Sequence, residues 1–195
     1  MAGTNCLLII DMQNELLHPQ GKLYQGGFPS EFDTLIPNVR RLLATARTKA
    51  VPVIFIYTAY HPSYVDASPL SPSRKSDSLV GGTWGVKLLE EIAPREGEVV
   101  IRKRRPSAFF ETPLDSTLRG LGARSIFMCG VATNRAVEST ARDAFNRDYR
   151  SFIVADGTAA RTVDAHKASL ESLGGFFGKV VNASEVEKIW SRDDA

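Results

Sequence analysis

Six short apolar runs recur along this chain: Cys6–Ile10, Val51–Tyr57, Val99–Arg102, Ser125–Cys129, Ser151–Ala155 and Lys179–Asn182. Most are nearly continuous in hydrophobic residues instead of alternating with polar ones. That is the pattern of strands covered on both faces, as in a parallel sheet. Helical patterns fill the intervals. Leu35, Ile36, Val39, Leu42, Leu43 and Ala46 repeat at helical spacing, and Pro37 suits a first turn. Val86–Ile92, Leu114–Leu121, Asn134–Arg147 and Asp164–Leu173 are the other helical candidates; within the third, Val137, Ala141, Ala144 and Phe145 share one face. Strands alternating with helices predict an α/β fold, a doubly wound three-layer sandwich around a mostly parallel six-stranded sheet.

A length of 195 residues suits one well-buried domain spanning 1–195. Hydrophobic content of 43% and charged content of 24% are those of a soluble globular protein. The net charge of +2 comes from mixed basic and acidic residues, so no nucleic-acid partner is expected. The one basic run, Arg102-Lys103-Arg104-Arg105, is short and sits at a strand end. No apolar stretch approaches the roughly 18 residues of a membrane span, and the N-terminus lacks the form of a signal peptide. Cys6 and Cys129 lie in apolar runs and imply no disulfide framework, so a cytoplasmic location is expected. His18–Phe32 and His61–Thr83 lack periodicity and read as lids or intersubunit loops.

In open parallel sheets, ligands bind beyond the carboxyl ends of the strands. Asp11 follows the first run, Lys103 the third, and Gly130-Val-Ala-Thr-Asn134 the fourth. Singly, Asp11 reads as a helix cap and Lys103 as a solvated strand end. Jointly they place a carboxylate and an amine beside a third group, an arrangement suited to proton transfer. Residue 136 lies two places into a helix-like run, over backbone N–H groups at the positive end of the dipole. A cysteine thiolate would be stabilised there, but the residue is an alanine.

Asp11-Met-Gln-Asn14, Lys103 and the segment Gly130–Ala144 together resemble the isochorismatase-like, or cysteine hydrolase, superfamily, from Leu7 to about Val181. Thr83-Trp84, Phe109–Ser116 and Val137-Glu-Ser-Thr140 are similar to its ureidoacrylate and carbamoyl amidohydrolase branch. The resemblance implies an Asp-Lys-Cys triad at Asp11, Lys103 and position 136, with no cofactor. Asp11 would take the thiol proton and pass it to the leaving amine. Lys103 would hold that carboxylate and favour the thiolate. A cis peptide at Val131–Ala132 would turn the N–H groups of Ala132 and residue 136 toward an oxyanion. The resemblance also implies a small-molecule substrate and a homo-oligomer, dimer or tetramer.

The chain departs from the family pattern at the nucleophile. Cys129, seven residues upstream, reads as a buried structural thiol, and Ser139 and Thr140 as packing residues. Three readings of Ala136 stand: a cysteine exchanged for alanine to hold intact substrate, a vinyl-ether hydrolase of the isochorismatase type needing no thiol, and a non-catalytic small-molecule binder. A zinc site of the kind nicotinamidases carry on this fold needs an Asp-x-His pair and a further His. His18, His61 and His166 are scattered without such spacing, so no metal is expected. For substrate contacts the candidates are Tyr60 and Trp84 by family position, Phe109 after the basic run, Asn14 as a donor and Arg135 as a carboxylate anchor or interface residue.

Overall fold

The computed structural model describes residues 4–28 and 33–192. Six strands form one sheet: β1 (Thr4–Ile10), β2 (Val53–Thr58), β3 (Val99–Lys103), β4 (Ala123–Val131), β5 (Arg150–Ala159) and β6 (Lys179–Val181). Their order is β3-β2-β1-β4-β5-β6, and every pairing is parallel. The helices, in chain order, are α1 (Asn14–Leu17), α2 (Lys22–Gln25), α3 (Leu35–Thr48), α4 (Ser73–Ser76), α5 (Leu114–Gly120), α6 (Glu138–Phe145), α7 (Val163–Ser172) and α8 (Ala183–Arg192).

Successive strand residues point to opposite faces, and both faces here are apolar. Leu7, Ile9, Phe55 and Phe127 meet α3 and α8 on one side. Leu8, Ile10, Ile56 and Met128 meet α5 and α6 on the other. This double burial is why β1, β2 and β4 read as continuous hydrophobic runs; the edge strands β3 and β6 do not share it, and Val100 is 45% exposed. Strand order reverses between β1 and β4, so the crevice for a ligand opens at the carboxyl ends of those two strands.

Several expectations need correction. Val86–Ile92 is not a helix but two 3-10 turns, Trp84–Val86 and Glu90–Ile92, flanking an extended piece. Its polar backbone groups bond to the chain leaving β1: Asn14 N–H donates to Lys87 O at 2.9 Å and Leu89 N–H to Met12 O at 2.9 Å. That non-local pairing overrides the local pattern. The Asn134–Arg147 stretch begins as a π-helical turn, Thr133–Val137, before α6. Phe145 does not share the buried face; it is 38% exposed and meets Phe176 and Phe177. The amphipathic α8, with Val186 and Trp190 buried, was not expected. Of the irregular stretch His18–Phe32, residues 29–32 lie outside the described residues.

Candidate active site

Asp11 is the first residue beyond β1 and turns sharply out of it, with φ of 53°. Its N–H is still bound to Ile56 O at 2.8 Å, so the turn starts from a fixed strand end. The side chain drops into a crevice shared with the last residues of two neighbouring strands. Lys103 Nζ lies 2.8 Å from Asp11 Oδ2, and both side chains are buried. Between them stands Thr58, paired in register with Lys103. Its hydroxyl donates to Asp11 Oδ1 at 3.0 Å and accepts from Lys103 Nζ at 2.7 Å. Lys103 also donates to Arg105 O at 3.3 Å. Gln13 secures this corner: its Oε1 accepts Thr58 N–H, and its Nε2 donates to Thr58 O and Val86 O, each at 2.9 Å.

Burial pushes the Asp11 carboxyl above its ordinary range. The Lys103 ammonium and the Thr58 hydroxyl pull in the other direction, because both favour the charged form. A buried pair of this kind is high-stakes: intact it is satisfied, while loss of one member leaves the other desolvated and alone.

The fourth strand end forms the facing wall. Gly130 is required there, since a Cβ on it would lie 1.9 Å from Ile10 O, at a φ of +114°. Without that close approach β4 could not bring its end beside Asp11. The Val131–Ala132 peptide is cis. Ala132 O then accepts Arg135 N–H at 3.0 Å and Val137 N–H at 3.2 Å, which shapes the π-helical turn carrying Ala136. Ala136 is buried, and its carbonyl accepts the Thr140 hydroxyl at 2.6 Å. Thr140 Oγ1 in turn accepts Ala108 N–H at 3.0 Å.

A cavity of about 360 Å³ joins these walls. Asp11, Thr58, Lys103, Ala132 and Ala136 all line it. Leu23, Phe28 and Leu79 form an apolar side, while Arg104, Arg105, Arg135 and Arg161 form a cationic one. Among the described residues Asp11 is the only acidic one in the lining. Tyr60 lines the cavity as well, its phenol pushed up by burial. Part of the cover is tied down from both sides: Arg161 Nη2 donates to Gly26 O, and Lys22 Nζ donates to Asp77 O at 2.5 Å.

Of the residues selected from sequence, Asp11, Lys103, Ala132, Ala136, Tyr60 and Arg135 are thus brought together, and Asn14, Trp84 and Phe109 are not. Asn14 and Trp84 face a separate, more open depression of about 570 Å³, where Asn14 Nδ2 donates to Trp84 O at 3.1 Å. That depression is larger but contains no buried acid–base pair, so the smaller cavity is the better candidate site. Phe109 is turned into the core, stacked on Tyr149 with centroids 5.9 Å apart and capped by Arg147. His18 packs edge-on against Trp84, and His61 Nδ1 pairs with Ser63 Oγ at 2.8 Å. Among the described residues no group of three His, Cys, Asp or Glu side chains is arranged to hold a metal ion. Cys129 is buried, its thiol pushed up by desolvation and aimed at Leu8 O, 3.5 Å away. The basic run is divided: Arg102 pairs with Asp66 at 2.6 Å and Lys103 with Asp11, while Arg104 and Arg105 line the cavity.

Thr58 and Gln13 were missed. The strand-end logic that selected Asp11 and Lys103 applies equally to Thr58, but the second run reads one residue short in sequence, ending at Tyr57.

Comparison with known proteins gives the family and the fold. The isochorismatase domain model matches residues 5–185. The ureidoacrylate amidohydrolase RutB of Methylobacterium radiotolerans is 36% identical over 95% of this chain and 79% of that protein. The protein of the same name from Yersinia enterocolitica is 37% identical over 95% and 87%. Among solved structures, a cysteine hydrolase from Pseudomonas syringae pv. phaseolicola superposes with a TM-score of 0.89 at 25% identity, covering 96% of this chain and 92% of that one. N-carbamoylsarcosine amidase from Thermoplasma acidophilum gives 0.77 at 26% identity, covering 92% and 96%. A parallel sheet that reverses order beside a buried Asp–Lys pair, in a chain matched over nearly its whole length, belongs to the isochorismatase family of hydrolases.

Proposed function

We propose that this chain carries the pocket of an amidohydrolase for small linear amide, ureido or carbamoyl acids, with its nucleophile position occupied by Ala136. The observation that carries the reading is that the buried Asp11–Lys103 pair, 2.8 Å apart, opens into the same cavity as Ala136. The names of the relatives support it, since they are amidohydrolases of ureidoacrylate and N-carbamoylsarcosine. The cationic wall adds to it, because a ureido acid presents a carboxylate to be matched.

With a thiol at position 136 the steps balance as follows. Asp11 accepts the thiol proton, and the thiolate sulfur bonds to the amide carbon. The carbonyl oxygen then carries the charge and is met by the N–H groups of residues 132 and 136. The C–N bond breaks as Asp11 returns the proton to the leaving nitrogen. Water then gives a proton to Asp11 as its oxygen bonds to the thioester carbon; the C–S bond breaks, Asp11 returns that proton to the departing sulfur, and the acid and the thiol are released. Lys103 keeps Asp11 oriented and favours its charged form. Alanine has no atom for the first bond, so the chain as written binds such amides and leaves them intact.

The test is to restore the thiol with Ala136→Cys and follow ammonia release from ureido acids, carbamoyl amino acids and simple amides. A gain of at least about 10³-fold over the unaltered chain is expected for one of the anionic substrates. No gain on any of them would overturn the reading.

A second reading has its own observation. Burial raises the Asp11 carboxyl, which suits a group that must deliver a proton. In a vinyl-ether hydrolase Asp11 would protonate the enol carbon, and no thiol would be needed. Turnover of isochorismate by the unaltered chain would establish this alternative.

A further inference from the structure

Beneath the turn that holds residues 132 and 136, α7 presents His166, Ser169 and Ser172, spaced by three and therefore on one helical face. His166 Nδ1 lies 2.8 Å from the hydroxyl of Thr133, a side chain with no exposed surface. Ser169 Oγ sits 3.3 Å from Thr133 O and 2.7 Å from Glu138 Oε2, and shares its single proton between them. Glu138 Oε1 accepts from Arg142 at 2.7 Å, and Arg142 reaches Ser172 Oγ at 2.9 Å and lies over the Phe177 ring. The N-terminus of α7 is itself fixed, because Thr162 Oγ1 accepts Ala165 N–H at 3.2 Å.

Two of these contacts, from His166 and Ser169, converge on one residue. Thr133 directly follows Ala132, three residues before Ala136, and both its side chain and its carbonyl are held from α7. The core on that side of the sheet is packed by Val137, Ala141 and Ala144, with Leu170 of α7 against it, so these polar contacts come in addition to the apolar packing. A donor that meets a developing oxyanion has to sit within a few tenths of an ångström of its place, and such donors are held by a second layer of hydrogen bonds.

We infer that His166 and Ser169, acting through Thr133, position the turn that carries residues 132 and 136 at the cavity wall, whose N–H groups the amidohydrolase reading assigns to the oxyanion. They are positioning residues and touch no reacting atom. The inference rests on the amidohydrolase reading for its catalytic consequence but not for its structural one, and the two are tested separately.

In the chain as written, His166→Leu is expected to shift the amide resonances of Ala132 and Ala136 in spectra of ¹⁵N-alanine-labelled protein. Ala46 and Ala59, on α3 and beyond β2, should stay in place, and Lys167→Ala, one residue along the same helix, should move neither pair. His166→Asn keeps a polar atom near the Nδ1 position and should return the shifts most of the way. Unmoved Ala132 and Ala136 resonances in His166→Leu would overturn the inference, whatever the substrate proves to be. In the Ala136→Cys background, His166→Leu and Thr133→Val should each lower kcat about tenfold with KM held within about twofold, less than the loss of a whole oxyanion donor. Thr133→Ser should recover kcat, and the two losses should not add, because each breaks the same link. A rise in KM at constant kcat, or fully additive losses, would count against the mechanism even if the resonances move.

Discussion

At the scale of single residues, the corner formed by Asp11, Thr58 and Lys103 is tightly constrained. Three consecutive parallel strands end there, and each contributes a polar side chain to one buried cluster. Because burial raises the Asp11 carboxyl while Lys103 and Thr58 hold it down, the sign of a perturbation can be worked out. In Ala136→Cys protein the acid limb of kcat/KM should lie above the ordinary aspartate value of 3.8. Thr58→Val removes a hydrogen bond to the charged form, so that limb should move to higher pH; a limb that stays still would show that Asp11 is not the titrating base. Gly130 gives a second prediction. A methyl group there meets backbone that cannot yield, so Gly130→Ala should cost about 3 kcal/mol or more in urea denaturation. Asp11 and Lys103 were legible in the sequence only jointly: each alone reads as a helix cap or a solvated strand end, but together with the Gly130–Asn134 turn they mark three strand ends of one parallel sheet. Thr58 was not, since a threonine ending a β-rich run is ordinary, and its role depends on its register with Lys103.

At the scale of elements, sequence pattern succeeded where packing is local to one helix and failed where a neighbour decided the outcome. The α3 pattern survives intact, with Val39, Leu42, Leu43 and Ala46 all buried. Val86–Ile92 carries a comparable pattern, yet its backbone pairs with residues leaving β1, so it stays extended between two tight turns. Phe109 looked like a pocket aromatic because it follows Lys103, but the chain turns within that interval and sends the ring into the core. The C-terminal α8 offers a test of how much an element missed in sequence contributes. Trp190 is 1% exposed and meets Phe127 edge-on at 5.3 Å, while its indole N–H has no partner among the described residues. Trp190→Ala should therefore destabilise the protein by roughly 3–5 kcal/mol. Trp190→Phe keeps most of the packing and removes the unpaired donor, so its cost should stay below about 1.5 kcal/mol. Equal costs for the two would mean that the indole N–H is satisfied in solution.

At the scale of the whole molecule, the sheet is clasped on one side by a bidentate pair between α3 and the chain entering β3. Arg47 Nε and Nη2 each lie 2.8 Å from a Glu98 carboxylate oxygen, with both side chains mostly buried. The Arg47 hydrogen bond holds Glu98 below its ordinary value of 4.5. A carboxylate depressed in the folded state adds stability above its unfolded pKa, and that contribution is lost as pH falls through the folded one. Urea midpoints should therefore be flat from pH 7 to about 5 and decline below 4.5. Glu98→Gln should lower stability at pH 7 by about 1 kcal/mol and shallow the acid decline; an unchanged decline would assign it to other carboxylates, such as Asp66 and Asp115, which are also held low.

The layered architecture was determined by the sequence alone, because a strand buried on both faces must be apolar at every position, and that signature survives without knowledge of any neighbour. The strand-end location of Asp11, Lys103 and the Gly130–Asn134 turn followed from the same periodicity. Which side chains share a cavity was decided only by the tertiary structure. Arg104, Arg105, Arg135 and Arg161 line the same cavity as Asp11, while Asn14 and Trp84 are carried to a different depression. The physical reason is directional. Burial depends on composition summed over a run, whereas the aim of one side chain depends on register, and a shift of a single residue reverses it. The loops that bring the arginines in are held by contacts far apart in the chain, such as Arg161 on Gly26 O, and no local pattern encodes those.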